Sequence, residues 1–264
     1  MDIGLWSAVV AQLIPVCLAT VNWVLSLLLA PKANSYLPAD LKQLWSDSRP
    51  FIKTQWPFVA ICMVGSNMSQ AHLFADHGLI PSFSFGLVAA AFISAGILPI
   101  VKLFYVSYLA APKYPGRVAT IGLWTVLLYV LGEWIVSALG SLGMIFFVVP
   151  GMIVMVRACL FLPAYALEGH RPFAAFERSW ALTSGNYWLV SCYLGLPTIL
   201  FLLLSASPQL TATVRAIGHY PFQYFWPAMI AFNVGTLAMS LVLAGLSYKL
   251  YDRLTLEAAE GSSS

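Results

Sequence analysis

The sequence contains very little charge for its length. Asp, Glu, Lys and Arg together make up 9% of the 264 residues, whereas 60% are hydrophobic and the mean hydropathy is +0.83. Soluble domains carry about 25% charged residues, so this composition excludes a soluble globular protein. The net charge of +3 comes from basic residues that are spread along the chain rather than gathered in one patch. No nucleic-acid partner is therefore expected.

The sequence also lacks the common signatures of metal sites and active sites. Its four cysteines are far apart and form no CxxC pair, which argues against a zinc site and a disulfide framework. His72 and Asp76 share a helical face, but a metal site needs three or four ligands. No P-loop, HExxH, nucleophile elbow or paired-carboxylate pattern is present. We predict no metal, no cofactor and no enzymatic activity, with a lipid-modifying enzyme of dispersed catalytic residues as a third alternative.

Long hydrophobic runs are what the sequence has in abundance. Crossing a bilayer takes about 20 apolar residues in a helix, which satisfies its own backbone polar groups. Seven runs approach or reach this length, and polar residues make the second the weakest: 3–30, 51–74, 85–111, 118–137, 142–167, 187–206 and 225–246. The sequence therefore predicts an all-α fold, a polytopic transmembrane helix bundle of six to seven spans.

The basic residues predict the orientation of these spans. With seven spans, ten of the 13 Lys and Arg residues fall on one side of the membrane and one, Arg215, falls on the other. Lys102 and Arg157 lie within spans. Connections rich in Lys and Arg stay in the cytoplasm. We therefore predict a multi-pass protein of a bacterial inner membrane, with its N-terminus outside and its C-terminus in the cytoplasm.

Two connections on the basic side are longer than a turn and are amphipathic. Residues 37–53 and 172–184 each place apolar side chains, including Trp45 and Trp180, on one helical face. Such helices lie in the plane of the lipid headgroups, so we predict two cytoplasmic interfacial helices. The whole of 1–258 is predicted as a single integral membrane domain. The end, 259–264, is predicted as a disordered tail or a cloning remnant.

The segment 150–188 carries the clearest candidate site. Pro150 and Gly151 predict a kink in the fifth span, made either for packing or as a discontinuous helix that lines a site. The charge of Arg157 costs about 2.5 kcal/mol or more in the membrane unless it reaches headgroup phosphates or Glu168. Anchoring and phosphate recognition both fit this arginine. The predicted contact patch for lipid or a partner protein consists of Arg157, Arg171, Arg178, Trp180 and Trp188.

Glu133 is the one acidic residue that the sequence places deep in a span. Counting rises along the predicted helices puts it toward the outer face, about 10 Å in depth from Arg157, so no ion pair between them is expected. Lys102 is expected near the cytoplasmic end of its span, where its ammonium extends to the headgroups. Glu133 is either a protonated acid near the outer interface or a transport residue linked to a proton or a cation.

A known family shares the motifs of this segment. Residues 147–188 contain PG-x5-R, then EG, then AxxRSWxLTxGxxW. This pattern resembles the signature of the YciC-like inner-membrane proteins, relatives of the membrane domain attached to some glycerophosphodiester phosphodiesterases. The resemblance implies a six-span bundle over 51–250, to which the span at 3–30 is an addition. The phosphodiesterase barrel is absent, so the resemblance does not imply that activity.

Two functions from different classes follow. The leading hypothesis is a non-enzymatic inner-membrane protein that binds phospholipid headgroups or supports another membrane complex in envelope homeostasis. Its expected partners are membrane lipids and either another integral membrane protein or further copies of itself. The alternative is a transporter of a small or lipidic substrate that uses the broken fifth span and Glu133.

Overall fold

The computed structural model describes residues 3–31, 33–74, 96–115, 121–146, 148–168, 171–218 and 226–261. Within these ranges every regular element is helical and no strand is present, which confirms the predicted all-α fold. The helices are α1 (Ile3–Leu29), α2 (Ala33–Phe74), α3 (Leu98–Ala110), α4 (Leu123–Phe146), α5 (Val148–Ala158), α6 (Phe161–Leu167), α7 (Pro172–Ser184), α8 (Tyr187–Gly218) and α9 (Trp226–Gly261).

Four stretches of the described chain are long and apolar enough to cross a membrane, which indicates a membrane protein. They are Leu123–Gly140, Pro150–Leu167, Tyr187–Ser207 and Ile230–Glu260. Two more apolar helices, Leu13–Leu29 and Leu98–Ala110, are shorter. The predicted run 51–74 is the second part of α2, and residues 85–95 of the third run lie outside the described residues. The total of six to seven spans therefore stays a prediction.

The fourth and fifth predicted runs meet at a different place from the one expected. Helix α4 continues to Phe146, so residues 142–146 belong to it and not to the next run. The fifth run then consists of α5 and α6, which are separated at Cys159-Leu160. There the Cys159 amide donates to the Val156 carbonyl at 3.4 Å, and Leu160 leaves the helical backbone with φ −93° and ψ 6°. This interruption turns the chain directly after Arg157.

Helix α2 joins the predicted first surface helix and the second run into one element. Its 42 residues run through three prolines without a break. At 1.5 Å per residue it is about 63 Å long, roughly twice the hydrocarbon thickness of a bilayer. Leu37, Leu44 and Phe51 are buried at intervals of seven residues, whereas Trp45 is 60% exposed. The first part of α2 therefore packs one face against the bundle and leaves a second apolar face open.

Close helix contacts set the positions of α1 and α2. A Cβ on Gly245 of α9 would lie 2.5 Å from a Leu44 methyl group, so α2 packs against α9 at a position without a side chain. A Cβ on Gly195 of α8 would lie 2.5 Å from the Trp23 ring of α1. Helix α8 thus packs between α1 and α9. Helix α9 runs through Gly261, so the part of the predicted disordered tail up to that residue is helical.

Candidate functional site

Arg157 lies in the last turn of α5 and stacks on an aromatic ring. Its guanidinium carbon is 4.6 Å from the centre of the Trp180 ring, a cation–π contact worth about 0.5–2 kcal/mol. Its Nε is buried and has no hydrogen-bond partner within the described residues. An N–H of a guanidinium can only donate, so this atom requires an acceptor. Among the described residues, Arg157 therefore has an aromatic ring as a partner and no anion.

A hydrogen bond between α7 and α5 brings Trp180 to this arginine. The hydroxyl of Ser179, which is fully buried, donates to the carbonyl oxygen of Arg157 at 2.5 Å. That carbonyl is one of the last four of its helix and has no intrahelical donor. Helix α7 begins at Pro172 and ends at Ser184, the bounds that the sequence predicts. Because Trp180 follows Ser179 directly, its position depends on this bond.

The start of α8 and the end of α1 complete the surroundings of Arg157. Tyr187, the first residue of α8, lies close enough to Arg157 for a direct electrostatic interaction. Its hydroxyl donates to the Asn22 side-chain oxygen of α1 at 3.2 Å. Beside Asn22, the indole Nε1 of Trp23 is buried without a hydrogen-bond partner in the described structure. The ring of Trp23 packs against Gly195 of α8.

The structure separates the other predicted contact residues. Arg178 donates from Nε to Glu168 at 3.0 Å, and the Tyr251 hydroxyl binds the same carboxylate. Residues 178 and 180 are about 200° apart around α7, so Arg178 lies on the opposite side from Trp180. Glu168 is therefore the partner of Arg178. The contact between Arg157 and Glu168 that the sequence suggests is not present in the described structure.

Arg171 directly precedes α7, and Trp188 is the second residue of α8. Arg171 precedes the helix in an extended backbone conformation and is exposed. Trp188 is 38% exposed and its ring meets that of Tyr187 edge-on, with centroids 5.1 Å apart. Trp188 therefore lies beside the surroundings of Arg157 through Tyr187. We call Arg157, Trp180, Tyr187 and Trp188 the arginine site.

Pro150 and Gly151 occupy the first turn of α5. This helix begins at Val148, so Pro150 is its third residue, where a missing amide leaves no intrahelical acceptor unpaired. The interruption within the fifth run lies at Cys159-Leu160, nine residues later than the kink predicted from the sequence.

Glu133 forms an ion pair with Lys102 on α3. The sequence places Glu133 near the outer end of a span and Lys102 near the inner end, and this is wrong because the boundaries of the helices differ. Helix α4 begins at Leu123 and extends to Phe146, which puts Glu133 near its middle. Counted from the connection between α3 and α4, the two residues lie about 12 and 15 Å along their helices. The second carboxylate oxygen of Glu133 is buried and has no hydrogen-bond partner at bonding distance among the described residues, although Tyr129 interacts with this carboxylate.

A network of ion pairs joins the first part of α2 to the end of α9. Arg253 donates to Asp40 at 3.1 Å, and the Tyr193 hydroxyl donates to the same oxygen at 2.6 Å. Lys249 lies 3.5 Å from Asp47. The turn after α3 contributes a third pair, in which Lys113 lies 2.6 Å from Asp252. We call these three ion pairs the paired end.

Sequence reasoning missed the paired end. One signal was present, because Asp40 falls on the same helical face as Leu37 and Leu44, both buried. An acidic residue on a buried face requires a partner, but the sequence does not say which of the distant basic residues supplies it.

In the described part of the chain, no three His, Cys, Asp or Glu side chains are arranged to hold a metal ion. The predicted pair of His72 and Asp76 lies outside it, since the structure describes the backbone of His72 only and 75–95 not at all. Compared with known proteins, the chain matches no family model, no curated protein and no solved structure. Its function is therefore argued from its sites.

Proposed function

We propose that this chain is a non-enzymatic integral protein of a bacterial inner membrane that binds the phosphate of phospholipid headgroups at the arginine site. The observation that carries the proposal is the buried Nε of Arg157, which has no acceptor although the guanidinium is stacked on Trp180. Arginine suits phosphate because its N–H groups match the spacing of phosphate oxygens. A phosphate supplies both the missing acceptor and the missing negative charge.

The composition of the arginine site supports a ligand at the membrane surface. Trp and Tyr are enriched at the level of the headgroups; here Trp180 stacks on Arg157, and Trp188 packs against its neighbour Tyr187. A phosphodiester carries one negative charge and Arg157 carries one positive charge, so the complex is neutral. A cation left alone there would cost about 2.5 kcal/mol or more, which a bound phosphate offsets.

The proposed topology follows from the basic residues. Six to seven spans, with the N-terminus outside and the C-terminus in the cytoplasm, place the paired end and the arginine site at the cytoplasmic leaflet. The motif in 147–188 supports a distant relationship to the YciC-like proteins. In this setting the protein would hold lipid beside another integral membrane protein or a second copy of itself, as an accessory part of the cell envelope.

Lipid retention tests the proposal. The chain is purified from bacterial membranes in a mild detergent, and the retained phospholipid is quantified by native mass spectrometry. A charge-assisted hydrogen bond contributes about 1.5–3 kcal/mol, so Arg157→Met should lower the affinity for phospholipid roughly 10- to 100-fold. The exposed Arg171→Met is the matched control and should retain lipid as the wild type does. Equal retention in both variants, or no phospholipid on the wild type, would refute the proposal.

A transporter that uses Glu133 is the second candidate. The observation that favours it is the Lys102–Glu133 pair, an intramembrane charge pair with one buried carboxylate oxygen unpartnered. Lys102 neutralises the carboxylate, which also suits a purely structural role and ranks this candidate second. Proton uptake into proteoliposomes, measured with an internal pH-sensitive dye under a potassium diffusion potential, tests it. Uptake that is absent, or unchanged in Glu133→Gln, would refute transport through this residue.

A further inference from the structure

The paired end encloses a cleft that the proposed function does not use. The cleft has a volume of about 850 Å³, within the range of small-molecule sites. It lies between the first part of α2, the end of α3 with its following turn, and the last turns of α9. The charged residues that line it are Asp40, Asp47, Lys113, Lys249, Asp252 and Arg253.

The charges of this cleft are balanced. Three carboxylates face three cations, and each carboxylate is within 3.5 Å of its own cation. A simple cation or a simple anion that entered would separate one pair and leave one protein charge without a partner. A molecule that carries both charges avoids this, because its ammonium takes the carboxylate and its anionic group takes the protein cation. Charge balance therefore favours a zwitterion over either ion alone.

The three ion pairs differ in how easily they exchange partners. Asp40 is held by Arg253 and by Tyr193, and its side chain is only 12% exposed. This pair forms a fixed floor. Lys249 and Asp47 are 3.5 Å apart, the longest of the three separations, and Asp47 is 39% exposed. Lys249 is 17% exposed, so the pair is only partly open to solvent, but its 3.5 Å separation makes it the weakest of the three and the one that a ligand replaces most easily.

The remaining pair and the walls define the rest of the site. Lys113 lies 2.6 Å from both oxygens of Asp252, and the Tyr114 hydroxyl bonds the same carboxylate at 2.8 Å. This arrangement uses both carboxylate oxygens and keeps Asp252 occupied. Tyr108 lines the cleft and is 41% exposed, so its ring offers a face to a cation. Asp47, Lys249 and Tyr108 are therefore the residues free to meet a ligand.

We propose that this cleft binds a zwitterion that carries a primary ammonium and an anionic group. The ammonium replaces Lys249 at Asp47, and the anionic group replaces Asp47 at Lys249. Every charge is then paired in the complex as it is without ligand. The shared chemistry can come from an ethanolamine phospholipid headgroup or from a free zwitterion such as an amino acid.

Calorimetric titration of the full chain in detergent tests the proposal, with glycerophosphoethanolamine and glycine as separate zwitterionic probes. Ethanolamine, which carries one positive charge, and dimethyl phosphate, a phosphodiester with one negative charge, are the single-charge controls. At least one zwitterion should bind tenfold more tightly than either control. Asp47→Asn and Lys249→Met should each weaken binding tenfold or more. Lys42→Met removes a cation from the exposed side of α2, and its affinity should equal that of the wild type.

Further variants keep the result interpretable. The double variant Asp47→Lys with Lys249→Asp keeps one carboxylate and one ammonium at exchanged positions, so it should bind the zwitterion. It can be titrated if either single variant proves too unstable. Arg157→Met should leave the cleft unaffected, which separates this proposal from the arginine site. Single-charge controls that bind as tightly as both zwitterions would overturn the proposal. Full affinity in Asp47→Asn, or a loss in Lys42→Met equal to that in Lys249→Met, would overturn it as well.

The source of the zwitterion is decided in lipid nanodiscs. If the headgroup of a membrane lipid occupies the cleft, discs of phosphatidylethanolamine should lower the apparent affinity for the free probe at least tenfold relative to discs of phosphatidylglycerol. If the natural ligand is free in solution, the two kinds of disc should give the same affinity. Either result supports a zwitterion site and identifies where its ligand comes from.

Discussion

Arg253 and Arg157 each stack on an aromatic ring, and they differ in whether a carboxylate of the described chain pairs with them. The guanidinium carbon of Arg253 lies 4.1 Å from the centre of the Tyr36 ring, and that of Arg157 lies 4.6 Å from the Trp180 ring. Both side chains are partly buried where helices pack against each other. Arg253 also reaches the carboxylate of Asp40 at 3.1 Å, whereas the buried Nε of Arg157 has no partner in the described structure.

Arg253 joins two helices through its ion pair, whereas for Arg157 we propose a lipid phosphate as the partner. At the paired end, ion pairs join α2 and the turn after α3 to α9, and each cation faces a carboxylate of the chain. At the arginine site the described residues supply the aromatic ring and no anion. Buried charge without a partner is costly, so it persists where something else provides the partner. The comparison predicts opposite responses to the same substitution at the two positions.

The largest expected effect is the loss of stability in Arg253→Met. The substitution leaves Asp40, whose side chain is 12% exposed, with the Tyr193 hydroxyl alone. Removing one partner of a buried ion pair costs about 3 kcal/mol, and we expect that decrease in the free energy of unfolding. Unfolding in mild detergent measures it. Adding Asp40→Asn should recover most of the loss, and a double variant whose loss equals the sum of the single losses would contradict the coupling.

The same substitution at Arg157 should affect ligand binding and not folding. Because no carboxylate of the described chain depends on Arg157, Arg157→Met should not lower the free energy of unfolding in the absence of lipid: the lost cation–π contact, about 0.5–2 kcal/mol, is offset by removal of a charge whose burial costs about 2.5 kcal/mol or more. Added phospholipid should stabilise the wild type by mass action, by about 2.7 kcal/mol at a hundred times the dissociation constant. Arg157→Met should lose that stabilisation. A lipid-free variant as unstable as Arg253→Met would show that Arg157 has a structural partner.

The sequence predicts the helical fold around Arg157 and Arg253 but does not predict which residues pair with them. Hydropathy is a property of short segments, so the helical membrane fold and the bounds of α7, with Pro172 at its start and Gly185 after its end, follow from local residues. The choice of Arg157 as a candidate residue is also local, because one arginine in an apolar run is visible without a structure. These predictions need no knowledge of how helices are arranged.

Which residues form ion pairs with one another depends on how the helices are arranged. Asp40 meets Arg253 over a separation of 213 residues, and no spacing in the sequence reports such a pair. The pair of Lys102 and Glu133 was missed for a different reason, since an error of a few residues in the end of α4 moves Glu133 by several ångströms in depth. Within the predicted contact patch, Arg178 and Trp180 lie on opposite sides of α7, and the helical period alone shows this.

A smaller effect is expected at the ring of the arginine site. Trp180→Leu removes the cation–π contact at 4.6 Å but leaves the guanidinium and the Ser179 hydrogen bond in place. The contact contributes about 1 kcal/mol, so the affinity for phospholipid should fall about fivefold. Retention measured by native mass spectrometry checks this, with Trp45→Leu on the exposed face of α2 as the matched control. A loss as large as that of Arg157→Met would mean that the ring positions the whole site.

The smallest effect is a dependence of stability on alkaline pH at the paired end. The hydrogen bond to Asp252 raises the pKa of Lys113 above its ordinary value of 10.5. A raised pKa means that the charged lysine stabilises the folded state at any pH below the unfolded value, and that this contribution disappears as the pH rises through the folded value. Lys113 is 44% exposed, so the contribution is at most about 0.5 kcal/mol.

Comparing the wild type with Lys113→Met isolates this term, because Tyr114 and Asp252 are present in both. The difference in their free energies of unfolding should be constant from neutral pH to about pH 10 and should vanish above it, since lysine is then losing its charge. Lys113→Arg should keep its advantage over Lys113→Met in that range, because a guanidinium stays protonated there. A difference that grows with pH would mean that Lys113 is not the group that titrates.

At the arginine site no carboxylate faces Arg157 within the described structure, so Arg157→Lys should show no such alkaline loss without lipid and should acquire one when phospholipid supplies the anion.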